Sequence, residues 1–308
     1  MVSLGGNVII RRGEAGTIEE QFENARMAGS FIARMAENNG GIIITHGNGP
    51  IVGNILIRNE AMKEKIPAMP LYICDADSEG GIGFVMQQTI YNELLRTKKI
   101  KDVVTIVTQV VVDTKDKAFS NPSKPVGPYY TREEAETLSR EKGWSVADDS
   151  SRGWRRFVPS PRPVRIVEAG VIKRISETGV IVIAAGGGGV PVVERPDGTL
   201  SGVDAVIDKD LSTSVLALEV GAERFINLTQ IDMAYLDFGK PGQRGIREMS
   251  VKEAKKHLGA GEFLRGSMAP KIEAAVEFLE GGGREVVITT PELIEEAMEG
   301  RAGTRIYA

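Results

Sequence analysis

The segment Ile42-Ile43-Ile44-Thr45-His46-Gly47-Asn48-Gly49-Pro50 sets the fold class. Its opening four residues are apolar or β-branched with no polar alternation, which predicts a strand buried on both faces. Proline suits a first helical turn because its missing N–H is not needed there, so Pro50 predicts a helix straight after the glycine turn. The same cadence recurs along the chain. Short apolar runs at 103–108, 180–184, 225–228 and 285–289 read as further buried strands. Between them, 18–38, 82–98, 204–220, 269–280 and 291–299 carry apolar residues near helical spacing. Alternating strands and helices predict an α/β fold with a mainly parallel central sheet.

One stretch breaks the rhythm. Residues 114–163 are rich in Pro, Lys, Arg, Asp and Ser, opening near Asn121-Pro122-Ser123-Lys124-Pro125-Val126-Gly127-Pro128 and closing on Val158-Pro159-Ser160-Pro161-Arg162-Pro163. A structureless loop of that length is improbable inside a compact domain. The stretch holds a helical pattern at 132–142 and an aromatic-basic piece, Gly153-Trp154-Arg155-Arg156-Phe157. It is expected to be a small protruding lid inserted in a single domain spanning 1–308. Pro196-Asp197-Gly198 marks a hairpin turn.

Composition narrows the function. The chain has 308 residues, a net charge of −4 and one cysteine, Cys74. The acidic balance argues against broad nucleic-acid binding. A lone cysteine permits no internal disulfide and fits a reducing compartment, so a cytosolic protein is expected. No run approaches the roughly 18 apolar residues of a membrane span.

Four glycine-bearing turns stand out: Gly5-Gly6-Asn7, Gly47-Asn48-Gly49, Gly186-Gly187-Gly188-Gly189 and Gly266-Ser267-Met268. Three follow strands, and ligands of open α/β sheets bind at strand carboxyl ends. Bare backbone N–H groups at such turns suit a polyphosphate. The plain alternative is that each glycine only serves a tight turn. Lys209, between Asp208 and Asp210, opens one helix; Lys271 lies near the start of another; Lys124 is pinned by prolines. Phosphoryl transfer needs cations around the migrating group and a carboxylate to orient them. There is no Walker A pattern, no Cys/His metal cluster and no Gly-x-Ser-x-Gly elbow. His46 and His257 are the only histidines. An alcohol acceptor would call for a base, whereas an acid acceptor is already ionised. Asn227-Leu228-Thr229 matches a glycosylation pattern but falls on an expected buried strand.

Taken together and in order, Leu4-Gly5-Gly6-Asn7, His46-Gly47-Asn48-Gly49-Pro50, Asn121 through Pro128, Gly186 through Pro191, Ala205 through Leu211, Phe238-Gly239-Lys240-Pro241 and Gly266 through Lys271 resemble the carbamate kinases of the amino-acid kinase superfamily. The resemblance covers nearly the whole chain. It implies a three-layer αβα sandwich, a homodimer, and reversible phosphoryl transfer between ATP and carbamate with Mg²⁺, giving ADP and carbamoyl phosphate. It places the reaction in arginine or agmatine breakdown. By that analogy Gly5, Gly6, Asn7, Gly47, Asn48 and Gly49 cradle the acid and the phosphoryl group. Lys209 and Lys271 neutralise charge, Asp210 holds them, and Lys124 closes over the acid. Gly186, Gly187, Gly188, Thr229, Tyr235 and Met268 surround the nucleotide. No protein ligand for the metal is assigned.

Many amino-acid kinases carry a lysine just before the first Gly-Gly; here that neighbourhood is Val2-Ser3-Leu4, as in the carbamate kinase branch. There are two departures. Ile51 stands where that branch has Gln, and Glu79 stands in its Ser-Gln-Gly. If both line the acid pocket, a sister kinase for another small acid is the alternative. The opening strand also has only three residues before Leu4-Gly5-Gly6, which leaves a non-catalytic nucleotide-binding regulator as a third reading.

Overall fold

The structure is a computed structural model that describes residues 1–6, 9–11, 13–36, 40–98, 101–149, 153–264 and 266–308. The first half runs β1 (Val2–Leu4), α1 (Ile18–Met35), β2 (Ile42–His46), α2 (Gly49–Met62), α3 (Leu71–Arg96), β3 (Val103–Ile106), β4 (Gln109–Val112), β5 (Lys124–Tyr130), α4 (Arg132–Lys142), β6 (Ser145–Asp148), β7 (Trp154–Val158) and β8 (Pro163–Ile166). The second half runs α5 (Ala169–Glu177), β9 (Ile181–Ala184), β10 (Val190–Glu194), β11 (Leu200–Gly202), α6 (Lys209–Val220), β12 (Arg224–Leu228), β13 (Ala234–Leu236), β14 (Arg244–Ile246), β15 (Glu248–Ser250), α7 (Val251–Gly259), α8 (Met268–Glu280), β16 (Glu285–Thr289), α9 (Ile294–Met298) and β17 (Thr304–Tyr307).

The main sheet has eight strands in the order β15-β17-β16-β12-β1-β2-β9-β3. Every neighbouring pair is parallel except β16–β17. Its apolar runs divide by parity, because successive strand residues face opposite sides. Ile42, Ile44, Ile181, Ile183, Ile226 and Leu228 pack under α1 and α3. Ile43, Val182 and Ala184 face α5 and α6, and Phe225, Val286 and Ile288 face α7 and α8. Both faces are therefore covered, as the absence of alternation predicts. Each of the larger of these side chains contributes about 1.5–3 kcal/mol by leaving water.

β1 is the point where the topology turns. The chain before β12 builds outward on the β2 side, and β12 with β16 builds on the other. Crevices form beyond the carboxyl ends of strands at such a switch point. A smaller sheet, β11-β10-β4-β8, joins the main sheet to the inserted segment. That segment is an antiparallel sheet, β5-β7-β6, with α4 beside it. The helix expected at 132–142 occurs with those bounds, and a capping box of Thr131 and Glu134 starts it.

Several expected boundaries move. The helix expected from residue 82 begins eleven residues earlier, at Leu71 (82 − 71). The one expected from 204 begins at Lys209. The strand expected over 103–108 ends at Ile106 as β3, and β4, which starts beyond that run at Gln109, belongs to a different sheet. Residues 291–299 form a 3-10 turn and then α9. Residue 38, the expected end of α1, lies outside the described residues.

The four-glycine run is buried through Gly186, Gly187 and Gly188. Gly188 has φ +109°, and a Cβ there would sit 2.4 Å from the carbonyl oxygen of Ile207. Backbone cannot yield to that contact. Gly188→Ala is expected to cost about 3 kcal/mol, measured by urea unfolding against the parent. A stability within 0.5 kcal/mol of it, roughly the scatter of neutral surface changes, would show that the turn relaxes.

Candidate active site

The ends of β1, β2 and β12 meet through backbone hydrogen bonds that outlast the strands. Gly47 N donates to Leu4 O at 3.0 Å, and Gly5 N donates to Leu228 O at 3.0 Å. A Cβ on Gly47 would lie 2.8 Å from Gly6 N and 3.5 Å from Lys209 Cδ. Only glycine lets these two turns touch with the Lys209 stem beside them. Gly49 has open space where a side chain would go. It begins α2, whose first-turn amides receive no side-chain cap. In that turn Pro50 has no N–H and Ile51 N donates to Asn48 O at 2.9 Å, which leaves the Gly49 amide for an anion.

Asn48 does not cap α2 because its side chain is engaged elsewhere. Its Nδ2 donates to Ser78 Oγ at 2.9 Å and to Asp75 Oδ1 at 3.4 Å. Burial drives the Asp75 carboxyl well above its usual range, against the pull of Asn48. Asn48 thus pins the turn to α3 from behind.

At the centre is a carboxylate between two ammonium groups. Lys209 Nζ donates to Asp210 Oδ1 at 2.6 Å, and Lys271 Nζ donates to Asp210 Oδ2 at 2.9 Å. Asn227 Nδ2 donates to Asp210 Oδ1 at 2.7 Å, and Lys209 also reaches Ser3 Oγ at 2.8 Å. Burial alone would raise Asp210, but the two ammoniums outweigh it and hold the carboxyl below its usual range. Burial lowers Lys209 to about 8, against the attraction of Asp210 and with the repulsion of Lys271. Two positive charges share one buried negative one, so the cluster carries an uncompensated charge that favours an anion.

Lys124 approaches from β5. Its Nζ donates to Asp208 Oδ2 at 3.1 Å, while Asp208 Oδ1 caps α6 through Asp210 N at 3.0 Å. Lys124, Lys209 and Lys271 therefore come from three distant segments to the start of one helix. Thr229 follows β12 directly, half-buried, and its N–H continues the ladder to Thr289 O at 2.9 Å. Tyr235, on β13, donates its hydroxyl to Asp232 at 2.8 Å. Met268 opens α8 and packs in one apolar cluster with Ala234 and Leu236. Gly186 and Gly187 are closed in: Cβ atoms there would meet the His46 ring at 2.4 Å and Asn48 Nδ2 at 2.2 Å. Packing thus gives those glycines a reason of their own. Asn7, expected beside Gly6, lies outside the described residues.

The two departures do not sit where the sequence suggested. Ile51 packs on the apolar cluster beneath α1 and α3. Glu79 is fully buried, and its two oxygens accept the N–H groups of Thr108 at 3.0 Å and Gly186 at 2.8 Å. Its carboxylate is thereby committed to backbone. His46 is buried and neutral: burial lowers it to about 4, and its Nδ1 donates to Gly47 O at 3.2 Å. It is no acid or base for a substrate. His257 lies in the last turn of α7 beside Glu262.

Sequence reasoning missed Ser3 and Asn227. The clue for Asn227 was an amide inside an otherwise apolar strand, Phe225-Ile226-Asn227-Leu228, where a buried polar group needs a partner. No group of three His, Cys, Asp or Glu side chains suited to a metal occurs among the described residues. Asp208 and Asp210 already face ammoniums, so they do not make a resident metal site.

A family model described as the Amino acid kinase family matches residues 1–290. Carbamate kinase from Pyrococcus furiosus is 47% identical over 308 residues, covering 99% of this chain and 98% of that protein. Carbamate kinase from Thermococcus kodakarensis is 47% identical over 309 residues, with the same coverage of 99% and 98%. Among solved structures, carbamate kinase from Giardia lamblia bound to AMP-PNP superposes with a TM-score of 0.94 at 41% identity, covering 99% of this chain and 97% of that one.

Glu79 makes the site's packing pH-dependent. Burial raises its folded pKa to about 8, despite the Thr108 and Gly186 amides, from the usual value near 4.3 when unfolded. Folding then binds a proton between those values, so this group's contribution falls as pH rises from about 4.3 to about 8. Glu79→Gln cannot titrate. Its stability relative to the parent is expected to improve from pH 5.5 to pH 8.5, read by chemical denaturation at each pH; a constant difference refutes the assignment.

Proposed function

The chain belongs to the amino acid kinase family, and we propose that it is a carbamate kinase, moving a phosphoryl group between ATP and carbamate. The observation that carries this is the convergence of Lys209 and Lys271 on Asp210 beside the closely packed glycine turns at Gly5-Gly6 and Gly47. The relatives named above add the substrate.

In the direction of ATP formation, a β-phosphate oxygen of ADP attacks the phosphorus of carbamoyl phosphate. The bond from phosphorus to the carbamoyl oxygen breaks, and carbamate leaves. Neither oxygen needs a proton at neutral pH. A site whose one nearby histidine is buried and turned onto Gly47 suits that chemistry. What the reaction does need is positive charge around the migrating group, in place before it arrives. Lys209 and Lys271 supply it, and Asp210 holds them at fixed spacing. Polyanion binding also favours the charged form of Lys209.

Gly5, Gly6 and Asn7, with Gly47, Asn48 and Gly49, hold the acid and the phosphoryl group. Lys124 covers the acid from the inserted sheet, residues 114–163, which acts as a lid. The nucleotide lies along Thr229, Tyr235 and Met268, with Gly186, Gly187 and Gly188 backing the phosphates. Mg²⁺ would come with the nucleotide and would add positive charge beside that of Lys209 and Lys271. The setting is the cytosol, at the end of arginine or agmatine breakdown. No helix among the described residues is long and apolar enough to cross a membrane.

A homodimer completes the reading. Phe84, Tyr91 and Leu95 lie on one side of α3 and are 57%, 47% and 53% exposed. Phe84 meets Phe22 of α1 edge-on, with ring centroids 6.4 Å apart. Such an apolar face suits a second copy. The parent is expected to sediment as a dimer and the Phe84→Asp, Leu95→Asp double variant as a monomer. A monomeric parent rules the dimer out.

The activity is tested by ATP formation from ADP, Mg²⁺ and carbamoyl phosphate. Lys209→Ala and Lys271→Ala are each expected to lower kcat about a hundredfold or more. An inactive parent, or full turnover in both variants, overturns the assignment.

A further inference from the structure

Arg155 and Arg156 stand side by side on β7 and take no part in the chemistry above. Neighbouring strand residues face opposite sides of a sheet, and the two guanidiniums go separate ways. Arg155 donates to Gly127 O at 3.0 Å and to Asp149 Oδ2 at 3.2 Å, with its guanidinium 5.1 Å from the Tyr129 ring centroid. Gly127 has φ +74° and lies where the β5–β7 register shifts. A Cβ on Gly53 of α2 would come 3.7 Å from Gly127 N. Arg155 therefore shapes the bulge that rests on α2.

Arg156 turns toward the body. Its guanidinium sits 4.6 Å from the Trp144 ring centroid and reaches Asp204 Oδ2 at 4.0 Å. Asp204 Oδ1 in turn accepts the N–H of Leu71, the first residue of α3, at 2.9 Å. Lys142 pairs with Glu60 of α2 across the same seam, which encloses a cavity of about 230 Å³.

The ladder makes this contact matter for Lys124. In β5–β7, Val126 pairs with Arg156 and Lys124 pairs with Val158. On the body side, Asp204 and Asp208 lie four residues apart on one segment (208 − 204). Two ion pairs, Arg156–Asp204 and Lys124–Asp208, thus tie one strand pair to one body segment. The inner pair must open when Lys124 turns to an acid. The outer pair has no such duty.

We propose that Arg156 is a positioning residue: held by Trp144 and paired with Asp204, it keeps β5 seated on the body so that Lys124 reaches the acid. The inference rests on the carbamate kinase reading for the identity of that acid and on geometry for the clasp.

Arg156→Gln keeps a polar side chain and removes the charge. The KM for carbamoyl phosphate is expected to rise about tenfold, while the KM for ADP and the melting temperature stay at parental values. Asp204→Asn should give the same split, and the double variant should add nothing to either single one, as expected of one shared contact. Amide hydrogen exchange of the ligand-free protein supplies a readout that needs no turnover. Exchange in β5 is expected to quicken in Arg156→Gln, with β2 and β9 unchanged. Equal rises in both KM values, additive single variants, or unaltered β5 exchange would overturn the proposal. An inactive parent whose β5 exchange still responds to the substitution refutes the choice of acid and sustains the clasp.

Discussion

The site depends on a single buried carboxylate shared by two ammonium groups. Asp210 and Lys271 are buried, and Lys209 beside them is mostly so. Moving three charges out of water costs several kcal/mol per ion unless they meet at close range with other hydrogen bonds. Here they meet at 2.6 and 2.9 Å, with Asn227 supplying a further N–H. The sum is still one positive charge in excess. A protein gains little stability from such an arrangement, since buried ion pairs are weak evidence of stabilisation. Its use is to hold cationic charge ready for a polyanion.

That constraint explains the placement of the surrounding elements. Asp210 opens α6, Lys271 lies in the first turn of α8, Asn227 is on β12 and Ser3 on β1. Packing of α6 against α8 brings the two lysines within reach of one carboxylate. Many amino-acid kinases place a lysine in the neighbourhood that Ser3 occupies. Here the ammonium of Lys209 enters from α6 and bonds to Ser3 Oγ. The charge reaches the end of β1 by another route, and the serine receives it.

The fold was legible where one local rule sufficed. Runs such as 42–45 and 285–289 are apolar at both parities because both sheet faces are covered, and no competing signal hides them. The start of α3 was illegible for the opposite reason. Asp75, Ser78 and Glu79 interrupt the apolar pattern, and all three are buried. Asp75 and Ser78 receive Asn48, and Glu79 receives the amides of Thr108 and Gly186. Polar residues spent on distant backbone look, in sequence, like a solvent-exposed loop. Lys209, Asp210 and Lys271 stood out only beside glycine turns; Ser3 and Asn227, lacking charge, did not.

The same reasoning bears on substrate choice. Ile51 and Glu79 raised the prospect of a different acid because each replaces an amide at a motif position. A residue changes specificity only by making a different contact with one substrate than with another. Ile51 spends its side chain on the apolar cluster under α1 and α3. Glu79 is buried with one backbone N–H on each oxygen, which spends both oxygens on the fold. What Glu79 alters is the turn that carries Gly186: an amide in its place could accept through one atom, whereas both carboxyl oxygens of Glu79 accept an N–H. Glu79 spends its side chain on Thr108 and Gly186 and not on Lys209, Lys271 or Asp210, which is why the motive for a different acid disappears once the contacts are traced.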